Sequence, residues 1–115
     1  MNTDKEFVPY QQSLDMKELG FDEPCFGYYN VSNQELIEDL SNNRTGNDDL
    51  RWASAPLYQQ AFRWFRKKYN LHILINVKDG IWYFERFSIN GFNTYEEAEL
   101  ECLKKLIEIV KNNNK

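Results

Sequence analysis

The sequence predicts an α+β fold, a small β-sheet that includes an antiparallel hairpin and packs against helices. Three observations carry that expectation. Apolar rings recur at three- and four-residue spacing from Tyr58 to Tyr69, the pattern of an amphipathic helix. Asp79-Gly80 separates two runs rich in β-forming residues, and Asp-Gly suits a type I′ turn because both central residues need positive φ. Thr94-Tyr95-Glu96-Glu97 has the S/T-x-x-E form of a capping box and opens a long apolar stripe. With 115 residues, 42% of them hydrophobic, the chain is expected to form a single domain over 1–115.

The first helix is expected from Phe7 to Leu19. Pro9 suits a first turn, where its missing N–H costs nothing, and Tyr10, Leu14, Met16 and Leu19 offer an apolar side. Gly20 then takes the left-handed C′ position, with Phe21 folding back onto the helix. Pro24 to Asn30, rich in aromatics, reads as a short strand. Gln34 to Leu40 is expected to form a short helix capped by Ser32 or Asn33. Residues 41–49 make a polar, mobile loop, and Leu50 to Ala53 a second strand.

Pro56 opens the next helix, over 55–69, with Lys67 and Lys68 in its last turn, and Asn70 and Leu71 close it. The hairpin follows, 72–78 against 81–87. A two-residue loop at Asp79-Gly80 sets Lys78 opposite Ile81, Val77 opposite Trp82 and Ile75 opposite Phe84. One face then carries Ile73, Ile75, Val77, Trp82 and Phe84. The other carries His72, Leu74, Asn76, Tyr83, Glu85 and Phe87. Ser88 to Asn93 reads as a loop. The last helix starts at the Thr94 cap and buries a stripe through Ala98, Cys102 and Leu106, with a frayed tail at 112–115. The expected order is α-β-(α)-β-α-β-β-α.

Charge is unevenly distributed. The formal net charge is −4, yet residues 1–50 carry eleven acidic and three basic side chains, and residues 51–72 carry five basic and none acidic. The basic stretch, Arg63, Arg66, Lys67 and Lys68 with Arg51, is interleaved with Trp52 and Trp64. Cations alternating with rings can hold phosphates and stack bases, and a compact anionic ligand suits so acidic a chain better than a long polyanion. A solvated helix face paired with the acidic first half is the plainer reading of the same residues.

Catalytic candidates are few. His72 is the only histidine, which excludes a two-histidine zinc site and leaves one candidate general base. Cys25 and Cys102 lack metal-ligand spacing and are too few for a disulfide framework. Each reads first as a small buried hydrophobe. Cys102 falls on the packed side of the last helix and Cys25 is freer, so a hydrolase would have to pair Cys25 with His72. The acidic pairs Asp22-Glu23, Asp48-Asp49 and Glu96-Glu97 have no EF-hand spacing, and there is no glycine-rich phosphate loop. No cofactor, metal or catalytic set is expected. The polar start, Met1 to Glu6, is unlike a signal peptide and no window has the length of a membrane span, so a cytoplasmic protein is expected.

Several segments resemble a group of small uncharacterised proteins encoded by phages and prophages of Bacteroidales gut bacteria. They are Phe7-Val8-Pro9-Tyr10; Leu19-Gly20-Phe21-Asp22-Glu23-Pro24-Cys25-Phe26-Gly27-Tyr28-Tyr29; Ala55-Pro56-Leu57-Tyr58-Gln59-Gln60-Ala61-Phe62-Arg63-Trp64-Phe65-Arg66; and Thr94-Tyr95-Glu96-Glu97-Ala98-Glu99. The resemblance implies a phage or prophage accessory protein in a host bacterial cell, and no activity or site residue. The surplus aromatics on the outer hairpin face, the lopsided charge and the missing catalytic set lead to the expected function, non-enzymatic binding to a host or phage protein without membrane contact. The alternative is a binder of nucleotides or single-stranded nucleic acid through helix 55–69. The candidate binding residues are Arg63, Arg66, Lys67, Trp64 and Trp52, together with His72, Tyr83 and Phe87 on the outer hairpin face.

Overall fold

Pro9 decides where the first helix begins. A proline disfavours the helical conformation in the residue before it, so Val8 is held extended and Pro9 itself (φ −61, ψ 164) occupies the N-cap. The helix, α1, spans Tyr10–Glu18 and not Phe7 to Leu19 as the apolar pattern suggests. Its C-terminus follows expectation. Gly20 has φ 98, and the Phe21 N–H reaches back to the Met16 carbonyl at 3.0 Å. The computed structural model describes residues 6–38, 50–71, 75–84, 89–92 and 94–113, with the backbone alone at 76–77, 82–84 and 89–91.

After α1 come β1 (Gly27–Asn30), β2 (Leu36–Glu38), β3 (Trp52–Ser54), α2 (Tyr58–Tyr69), β4 (Ile75–Lys78), β5 (Ile81–Phe84), β6 (Ile89–Phe92) and α3 (Tyr95–Asn113). Among the described residues three helices and two three-stranded antiparallel sheets make the fold α+β. The contacts divide into two compact units, Met1–Ala61 and Phe62–Lys115, the boundary falling inside α2. Among the described residues no helix is long and apolar enough to cross a membrane.

In the first unit the strand order is β2-β1-β3 and α1 packs against β3. The short helix expected over Gln34 to Leu40 is absent from its described part, where β2 lies instead. The side chains that suggested an N-cap make a hairpin turn. Asn30 Oδ1 accepts the Ser32 N–H at 2.9 Å, and Asn33 Oδ1 accepts the Glu35 N–H at 2.9 Å. Gln34 takes a left-handed φ of 62 and donates its N–H to the Asn30 carbonyl at 2.7 Å, which turns the chain back. Caps and Asx turns use the same residues, and here the turn wins. β3 is likewise shifted from the expected Leu50 to Ala53, leaving Leu50 in a turn and exposed. Residues 39–49, with the expected polar loop, lie outside the described residues.

Phe7, Tyr29 and Ala55 form a buried cluster, with Tyr10, Phe26, Leu36 and Leu57 packed against it. Phe7 pairs with Leu57 in an isolated antiparallel bridge, and Tyr10 meets Tyr29 edge to face at 5.5 Å. Gly27 allows the close approach of Phe7. A Cβ there would stand 2.9 Å from Phe7 Cε1 and 3.3 Å from the Ile37 carbonyl oxygen.

In the second unit the hairpin has the expected register, Lys78↔Ile81, Val77↔Trp82 and Ile75↔Phe84, across Asp79 (φ 55) and Gly80 (φ 79). Residues 72–74 and 85–88, the outer ends expected for it, lie outside the described residues. Where a loop was expected over Ser88 to Asn93, β6 pairs with β5 as Trp82↔Phe92, Tyr83↔Asn90 and Phe84↔Ile89. The register skips Gly91 at a bulge between Trp82 and Tyr83, so the Asn-Gly pair that reads as a loop is a bulge residue and its neighbour. The element order is thus αβββαβββα.

α2 begins at Tyr58, two residues after Pro56, because the Leu57 carbonyl is the first to accept a helical N–H, from Ala61 at 3.0 Å. It ends as expected on Asn70 (φ 55), with the Leu71 N–H reaching the Phe65 carbonyl at 3.3 Å. α3 is capped by Thr94 Oγ1, which accepts the Glu97 N–H at 3.1 Å, and it packs against β4, β5 and β6. It continues helically to Asn113, past the start of the expected frayed tail.

Gly27→Ala should lower stability by about 1–3 kcal/mol through overpacking against Phe7. Urea unfolding of the variant beside the wild type measures this; an unchanged midpoint would mean that Phe7 moves aside without cost.

Candidate functional site

α2 sorts its side chains by helical period. Tyr58, Ala61, Trp64 and Phe65 are buried, whereas Gln59, Arg63, Arg66 and Lys67 are exposed. The exposed residues recur at spacings of four, three and one, so they share one side. No acidic residue occurs among the twelve of the helix. Arg66 and Lys67 form no ion pair with any described residue.

Lys68 behaves differently. Its ammonium stands 5.0 Å from the Trp64 ring and 5.6 Å from the Tyr69 ring, two cation–π contacts that hold it against the aromatic side. Trp64 in turn meets Phe65 and Tyr69 edge to face, at 5.0 and 5.5 Å. In the first unit Gln60 fixes the start of the helix, its amide donating to the Pro24 carbonyl at 2.9 Å and to Glu23 Oε1 at 3.3 Å.

The sequence candidates therefore separate. Arg63, Arg66 and Lys67 come together on one exposed side. Trp64 is only 6% exposed, so its ring is a packing group and offers no face for a base. Trp52 lies on β3 in the other unit, half-buried and edge to face with Tyr28 at 5.0 Å, and its carbonyl accepts a hydrogen bond from Lys17 Nζ at 2.7 Å. Tyr83 sits in β5 between Asn76 and Asn90, with the backbone alone described. His72 and Phe87 lie outside the described residues.

Both cysteines are buried. Cys25, expected to be a small buried hydrophobe, is fully enclosed and donates to the Glu23 carbonyl at 3.3 Å. Burial first, then the Glu23 charge, pushes its thiol up to about 12. Burial and the neighbouring Glu99 push Cys102 to about 12 as well. Neither is a thiolate near neutral pH, which removes the nucleophile from the Cys25–His72 hydrolase reading.

Sequence reasoning assigned Glu99 no role. Only 9% of it is exposed, and burial raises its carboxyl to about 7 although a hydrogen bond with Tyr95 opposes the shift. The signal was present: Glu99 falls three residues before Cys102 and four before Leu103, inside the buried stripe of α3. Among the described residues, no group of three or more histidine, cysteine, aspartate or glutamate side chains is placed to hold a metal. No protein-family model, curated protein or solved structure matches the chain.

Two outcomes are expected. In the native protein at pH 8, both thiols should react with a disulfide reagent roughly 100-fold more slowly than in denaturant, where both react freely. Glu99 keeps its proton up to about pH 7 when folded but only to about 4.5 when unfolded, so the folded chain binds more protons in that window. Stability therefore falls as pH rises through it. Glu99→Gln should be more stable than wild type at pH 8 by ~2 kcal/mol and should flatten this dependence, as read by urea midpoints across the range.

Proposed function

We propose that this chain is a non-enzymatic interaction protein that contacts a host or phage protein, in keeping with the phage and prophage group its segments resemble. The observation that carries the reading is the exposed cationic side of α2, where Arg66 and Lys67 point away from the core without an ion pair to any described residue. Charges left unpaired on a rigid element steer association and fix orientation against a partner of opposite sign. The protonated state of both thiols weighs against nucleophilic chemistry at either. Nucleotide or single-strand binding through the same helix draws on the same cations, but the burial of Trp64 and the contact of Lys68 with its ring count against it.

The test is capture from phage-infected host lysate at low salt, with the wild type and with Arg66→Glu/Lys67→Glu. Proteins retained by the wild type and lost with the double variant, whose melting temperature should stay close to wild type, are the expected result. Recovery of the same proteins by both would remove this surface from the function.

A further inference from the structure

We infer that the cationic side of α2 receives an acidic polypeptide segment of the partner, an inference that rests on the interaction reading above. Within the second unit Trp64, Phe65 and Tyr69 pack together along the inner side of the helix, and the left-handed Asn70 closes its end. The exposed cations are thus carried on a fixed rod, with little ordering left to occur on binding.

Their spacing then limits what they fit. At 1.5 Å rise per residue, Arg63 to Lys67 covers only about 6 Å along the axis, and Gln59 extends the polar strip to about 12 Å. Such a strip matches a few carboxylates, which arginine engages through paired hydrogen bonds. Tight binding to a nucleic acid draws on many phosphate contacts and on stacked rings. Here Trp64 is buried, Lys68 lies on the Trp64 and Tyr69 rings, and the chain as a whole carries −4, which repels an extended polyanion. Residues 51–72 themselves contain no acidic side chain.

The probe is a fluorescein-labelled peptide of alternating glutamate and serine, followed by anisotropy at low and at physiological salt, with an oligo(dT) of equal charge as comparator. The peptide should bind at low salt, weaken as salt rises, and bind Arg66→Glu/Lys67→Glu at least about tenfold more weakly. Lys104→Glu on α3 should bind it as the wild type does. Arg66→Gln/Lys67→Gln, which adds no negative charge, should lie between the two. Three results would overturn the inference: no peptide binding at low salt, equal binding by the double charge reversal, or tighter binding of oligo(dT) than of the peptide. If lysate capture still distinguishes wild type from variant in any of these cases, the interaction reading stands and only the acidic chemistry falls.

Discussion

Much of the first unit is organised around one residue, Val8. Pro9 keeps Val8 extended, and the polar groups of the fully buried Val8 then join three parts of the chain. Its N–H donates to the Pro56 carbonyl at 2.8 Å, which ties the N-terminal segment to the approach to α2. Its carbonyl accepts the Tyr29 hydroxyl at 2.8 Å from β1 and the Ser13 hydroxyl at 3.1 Å from α1. A helical Val8 would offer none of these bonds in this arrangement. Phe7 follows from the same geometry, turned inward beside Gly27, where no larger residue leaves room for it.

The division of labour along α2 follows from period alone. One side gives its aromatics to packing and recruits Lys68 to cover two of the rings, while the other keeps Arg63, Arg66 and Lys67 in solvent. Neither Arg66 nor Lys67 forms an ion pair with a described residue. That separation of ring from cation is what favours a protein over a nucleotide in the proposed function, because stacking and charge no longer act at one place.

Signals closed within a few residues were legible in the sequence. The Asp79-Gly80 turn and its register, the Thr94 cap, the Gly20 and Asn70 helix ends and the cationic side of α2 each depend on neighbours within a turn or two. Signals with two physical outcomes were not. Ser32 and Asn33 serve a helix cap or an Asx turn equally well, and pairing of β2 with β1 selects the turn. Asn90-Gly91 reads as a loop until β5 is there to pair with it. Glu99 shows the remaining gap. Its position on the wheel of α3 is apolar although the residue is acidic, and only packing reveals that burial wins and the proton stays.

The bulge at Gly91 has a consequence beyond register. β6 is an edge of the second sheet, and an edge strand offers its outward N–H and C=O groups to any other chain that can add a strand. An extra residue at that edge interrupts the even spacing of those groups and increases the local twist, so a straight foreign strand finds no continuous ladder to join. The irregularity that hid β6 from a reading of the sequence thus also disfavours the pairing of a foreign strand at that edge.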